Sequence, residues 1–130
     1  EWSGLDDVSI YTLNGRVIKT TGLVSNIEII SPDAKSPDVI RDYHESINLY
    51  NPDLFSATLD SSVTADPASF SRFGSKVNAL RVREDISIGL INWNRSNYYY
   101  YNPDSTFVEK TKQYIHPRLA AIDIEFFYKF

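Results

Sequence analysis

The 130-residue chain has no cysteine, which excludes disulfides, thiolate metal sites and a cysteine nucleophile. Only two histidines are present, His44 and His116. No apolar run approaches the roughly 20 residues of a membrane-spanning helix, and no signal-peptide pattern stands at Glu1. Positive charge is also scarce: 13 Lys and Arg against 17 Asp and Glu give a net charge of −4. A nucleic-acid groove needs a basic stripe to neutralise phosphates, so nucleic acid is not an expected partner. No repeat, linker or low-complexity tract interrupts the chain, and its length predicts a single domain, residues 1–130, able to fold around its own core.

Catalytic signatures are equally scarce. There is no Gly-x-Ser-x-Gly elbow, no Walker A loop, no dinucleotide fingerprint and no His/Cys cluster, so neither a cofactor nor a metal is expected. His44 lies between Asp42 and Glu45 in "RDYHES"; His116 precedes Pro117 at a turn, where an exposed or locally hydrogen-bonded ring is the ordinary outcome. The adjacent pairs Asp6-Asp7 and Glu84-Asp85 point to opposite faces of any strand and cannot flank one glycosidic bond; solvated turn residues are expected. Asn94-Arg95-Ser96 fits an N-glycosylation sequon, which matters only in a eukaryotic secretory pathway. The expectation is a protein that is not an enzyme.

Strand signals, by contrast, are nearly continuous. Asn14-Gly15 between apolar runs predicts a two-residue type I′ hairpin joining strands near 7–13 and 16–22. Further strands are expected in "SNIEII", in "ESINLY" and "LFSATLDSSVTA" around Asn51-Pro52-Asp53, in "KVNALRVREDISIGLI", and over 96–102, 106–115 and 121–130. Ser36-Pro37 and Asp66-Pro67, the latter closed by Gly74, predict two short helices at 37–44 and 67–73. The predicted fold is all-β, a curled or partly open antiparallel barrel-like meander with one or two short helices.

Aromatic residues are the abundant resource, with nine Tyr and seven Phe. In "NYYYYNPDSTF", Tyr98 and Tyr100 fall on one face of a strand and Tyr99 and Tyr101 on the other, so both faces need a cover. Two readings stand side by side. These rings and Trp93 fill the interior of a curled sheet, or they form a platform for a glycan or partner, since tyrosine offers a flat apolar face with a polar edge. The candidate platform comprises Trp93, Asn97, Tyr98, Tyr99, Tyr100, Tyr101 and Gln113.

Two segments carry a resemblance. "EWSGLDDVSIYTLNGRVIKTTGL" resembles the stretch running from a Trp to Asn-Gly-Arg-hydrophobic-x-x-Thr-x-Gly-Leu in the YjbF/GfcB lipoproteins, which are encoded with exopolysaccharide and group 4 capsule genes. That family also tends to carry Asn-x-Tyr-Trp-x-Asp and then Val-Trp-x-Ser-x-Gln before a Pro. Asn97, Tyr99, Tyr100 and Asn102 fill the first motif, with Tyr for Trp and Asn for Asp; Val108, Glu109, Thr111 and Gln113 fill the second, with Glu for Trp, and Pro117 follows. The likeness covers both ends of the chain and is weak over 30–75. It implies an all-β lipoprotein without catalysis, anchored at the outer membrane through a lipidated Cys and facing the periplasm. The leader, that Cys and part of the amino-terminal region would then lie outside this chain. The implied role is assistance in producing or exporting a surface polysaccharide, by binding the polymer or secretion proteins. A carrier of an apolar ligand such as a lipid inside the curled sheet is the alternative.

Overall fold

The computed structural model describes residues 2–3, 7–30, 42–102 and 107–126. Ten strands follow one another: β1 (Trp2–Ser3), β2 (Ser9–Leu13), β3 (Arg16–Thr21), β4 (Asn26–Ile30), β5 (Asp42–Tyr50), β6 (Leu54–Arg72), β7 (Ser75–Ile88), β8 (Trp93–Tyr101), β9 (Val108–Gln113) and β10 (Ile122–Glu125). Each pairs antiparallel with its chain neighbours, so the sheet is a meander in strict sequence order, curled into a half-barrel. Asn14 and Gly15 both take positive φ, 52° and 82°, as a type I′ turn requires. The Asn51–Asp53 turn joins β5 to β6.

The helix expected at 67–73 is absent. Those residues continue β6, with Pro67 opposite Leu80 and Phe70 opposite Val77. Pairing wins over the local capping signal because the 19-residue β6 and 14-residue β7 form one long hairpin. Beyond Ser62 no pairing of β6 with β5 is described, so Pro67 sits where a missing N–H interrupts no second ladder. Of the helix expected at 37–44, residues 42–44 belong to β5 and the rest fall outside the described residues. The single helical turn found among the described residues is a 3-10 turn, Gly89–Ile91, where β7 had been expected to run on.

Period-two alternation sends one face of β4 to β8 inward. The larger core gathers Val17, Ile27, Ile29, Ile47, Leu49 and Leu59 with Ile86, Ile88, Trp93 and Ile115; a second cluster holds Val63, Val82, Tyr99, Tyr101 and Val108, with Phe126 against it. The curl brings the β2–β3 turn onto β9. A Cβ on Gly15 would stand 2.9 Å from Val108, and Val17 N–H donates to Gln113 Oε1 at 2.9 Å.

Candidate functional site

The inner face contains a buried polar cluster. Arg16, first residue of β3, meets Glu45 of β5 at 2.6 Å and Glu84 of β7 at 3.6 Å. Tyr99 donates its hydroxyl to Glu84 Oε1 at 2.9 Å, with Gln113 Oε1 further off at 3.4 Å. Gln113 Nε2 donates to the Gly15 carbonyl at 2.8 Å and to Thr111 Oγ1 at 2.9 Å. Asn97 Oδ1 accepts from Tyr114 N–H at 2.7 Å, extending the β8–β9 edge with a side chain where the backbone ladder ends. Burial alone would lower the Arg16 guanidinium, but Glu84 and Glu45 outweigh it and raise its pKa. Burial first, then Glu84, raises the Tyr99 phenol well above its usual value, so it remains a donor.

The cavity among these residues has a volume of about 20 Å³, bordered by Arg16, Glu84, Asn97, Tyr99 and Gln113. That is room for about one water molecule and far too little for an acyl chain. Glu45 and Glu84 do converge on Arg16, yet inside the packed barrel rather than across a cleft.

Of the seven platform candidates, Trp93, Asn97, Tyr99, Tyr101 and Gln113 are buried. A ring at zero exposure, as Tyr99 is, cannot stack on a surface ligand. Tyr98 and Tyr100 point outward and are half-buried. Their cover comes from the long hairpin, whose distal part returns over β8 and β9: Phe70 meets Tyr100 edge-on at 5.6 Å, and Arg72 Nη2 donates to the Glu109 carbonyl at 2.8 Å. The Arg81 guanidinium lies 5.4 Å from the Tyr98 ring centre and is held by both Asp66 oxygens, at 2.7 and 3.2 Å. The Asp66 hydrogen bond is the main cause of its raised pKa.

Beside Tyr98 the outer face opens into a polar hollow of about 510 Å³ across β5 to β8. Cross-strand register builds it. His44 stands opposite Asp60, Asp60 opposite Ser87 and Ser87 opposite Asn94; one row over, Ser62, Asp85 and Ser96 align. His44 Nδ1 contacts Asp60 Oδ1, while Asp85 Oδ1 accepts from Arg83 at 2.8 Å and Ser96 at 2.6 Å. Burial of Asp85 opposes its charge, yet these two donors prevail and hold its pKa below the ordinary value.

One expectation therefore changes, and another resolves to one of its two forms. Glu84 is no solvated turn residue but 1% exposed and ion-paired, because it shares the inward parity of Val82, Ile86 and Ile88. His116 takes the locally hydrogen-bonded form rather than the exposed one: it is buried, accepts Arg118 N–H on Nδ1 at 3.0 Å and meets the Tyr50 carbonyl through Nε2 at 3.1 Å. Asp85 does face the other way from Glu84, as adjacency in a strand demands. The Arg16 cluster and the hollow escaped sequence reading; the parity of Glu84 was the one signal for the former, and the hollow depends on register between distant strands.

No curated protein sequence matches this chain. The crystal structure of the hypothetical lipoprotein YmcC from Escherichia coli K12 is similar over 88% of this chain, with a TM-score of 0.75 and 19% identity. The likeness spans 66% of YmcC and shows a shared fold. Residues 1–127 match the family described as group 4 capsule polysaccharide lipoprotein GfcB, YjbF. With nearly its whole length covered by that match, the chain belongs to the YjbF/GfcB family of capsule-associated lipoproteins.

Proposed function

We propose that this domain is a non-catalytic binding module of the cell envelope that assists production or export of a surface polysaccharide by holding the polymer on its outer face. The observation that carries this reading is the polar hollow on the outer face, lined by His44, Asp60, Arg83, Asp85, Asn94 and Ser96, with the half-buried Tyr98 opposite Arg83 at its border. Planar carboxylate, guanidinium and amide groups match the paired hydroxyls of sugars, and tyrosine rings offer apolar area for the sugar faces. The family's association with capsule polysaccharide supplies the ligand class. A periplasmic position beside the outer membrane, and contacts with secretion proteins, belong to the same reading. The carrier alternative receives no support from a core cavity of about 20 Å³.

The test is a comparison of two double variants by denaturant unfolding and by calorimetric binding of the polysaccharide made by the source strain. Tyr98→Ala/Tyr100→Ala should weaken binding while leaving most of the stability. Tyr99→Ala/Tyr101→Ala should unfold the domain by several kcal/mol, as large-to-small core changes of about 3–5 kcal/mol each do. If the first pair leaves binding unchanged, the outer face is not the polymer site.

A further inference from the structure

In a strict meander, alternate connections open at the same end of the sheet. The β3–β4, β5–β6 and β7–β8 connections therefore form one rim. This rim carries exposed apolar side chains in each loop: Val24 at 82%, Phe55 at 56%, Leu90 at 77% and Ile91 at 41% exposure. The loops are tied together rather than loose. Asn51 Nδ2 donates to the Val24 carbonyl at 2.8 Å, Ser25 Oγ donates to the Asn51 carbonyl at 2.8 Å, and the Phe55 ring abuts Tyr50 edge-on at 5.5 Å. The 3-10 turn bearing Leu90 and Ile91 packs against β6. On the β9–β10 connection, at the same end, His116 ties residues 114–121 to the Tyr50 carbonyl.

Charge is sparse there: residues 22–25, 51–56, 89–92 and 114–121 contain one carboxylate, Asp53, and one guanidinium, Arg118, and the β1–β2 connection at the same end adds Asp7, whose carbonyl lies against Gly22. An apolar rim without hydrogen-bonding rows is unsuited to a sugar chain. It also differs from a protein hot spot, where Trp, Tyr and Arg dominate and Leu and Val are under-represented. Separate aliphatic protrusions on braced loops need no shaped pocket and suit a fluid apolar medium. Membership of a lipoprotein family puts such a medium within reach.

We infer that the Val24–Phe55–Leu90–Ile91 rim is a membrane-docking edge that dips into the interfacial layer of a lipid bilayer, independently of any polysaccharide on the outer face. Shallow apolar insertion is weak alone and becomes effective when a second attachment keeps the domain at the surface.

The absence of native cysteine permits a direct test. Single variants Leu90→Cys and, at the opposite end of the sheet, Lys76→Cys are labelled with an environment-sensitive fluorophore. Both are presented to phosphatidylethanolamine/phosphatidylglycerol vesicles, either free or tethered through an amino-terminal His tag on nickel-chelating lipid. The label at 90 should shift to the blue, brighten and be quenched by brominated acyl chains, and the label at 76 should do none of these. Val24→Ser/Phe55→Ser in the Leu90→Cys background, both surface changes, should diminish the blue shift and the acyl-chain quenching of the label on tethered vesicles without altering the unfolding midpoint. Three results would overturn the inference: no response at 90 even when tethered, equal responses at both ends, or a response that tracks protein concentration without vesicles, which would mark contact between copies of this chain.

Discussion

Gln113 and Gly15, 98 residues apart, are joined by a 2.8 Å hydrogen bond from the glutamine Nε2 to the glycine carbonyl. The same carboxamide accepts the Val17 N–H, so one side chain on β9 serves two backbone groups of the β2–β3 hairpin across the curl. It does the work of a short strand. Gln113→Leu should orphan both backbone groups in the interior, at a cost on the order of 1–3 kcal/mol each. Urea unfolding of this variant with no loss of stability would show that the hairpin does not depend on the glutamine.

The Arg16 cluster predicts strong non-additivity. Removing the guanidinium in Arg16→Met leaves Glu45 and Glu84 facing each other's charge in a packed interior, and breaking a buried ion pair from one side costs about 3–5 kcal/mol. Adding Glu45→Gln and Glu84→Gln should recover much of that loss. Equal stability of the single and triple variants would contradict the electrostatic account.

Gly15 and Gly74 both close tight turns at positive φ, 82° and 78°, but only Gly15 is crowded. A left-handed residue with a Cβ costs roughly 1–2 kcal/mol at either site. At Gly15 the new atom also meets Val108 at 2.9 Å, whereas at Gly74 it meets nothing within 4 Å. Gly15→Ala should therefore lower the thermal midpoint more than Gly74→Ala, and equal shifts would remove Val108 from the explanation.

His116 predicts a pH dependence of definite sign. Burial lowers its pKa from 6.5, with the Tyr50 carbonyl opposing and the Arg118 charge adding to the fall. Below about pH 6.5 the unfolded chain takes up a proton that the native ring refuses, so stability present above that pH declines as pH falls. Asp85 contributes later, because its depressed pKa matters only below 3.8. Unfolding free energies between about pH 7 and 5 should fall less steeply in His116→Gln than in the parent chain.

Much of the architecture was legible in local chemistry. Asn14-Gly15 specified its turn because the chain there needs two positive φ values, and alternation along 93–101 told which residues share a face, whereas along 108–113 a register shift carries Val108 onto the same side as Thr111 and Gln113 against strict parity. Asp66-Pro67 misled, since a capping signal counts for little beside thirteen cross-strand pairs in one hairpin. The tyrosine run was ambiguous for the same reason that it was conspicuous: period two separates Tyr98 and Tyr100 from Tyr99 and Tyr101 but does not say which set turns inward.

By itself the sequence determined an all-β meander, its hairpin turns, a cysteine-free chemistry without catalytic motifs, and family membership through dispersed short motifs at both ends. These rest on neighbours within a few residues, where steric preference and side-chain parity act directly. Tertiary structure alone decided that Tyr99 bonds Glu84 in the core while Tyr98 lies under Arg81, that Gln113 bridges to Gly15, and that Val24, Phe55 and Leu90 share one rim. Each of those follows from the curl of the sheet and the register of strands far apart in the chain, which no local pattern encodes, because burial is a property of the closed surface and not of the strand.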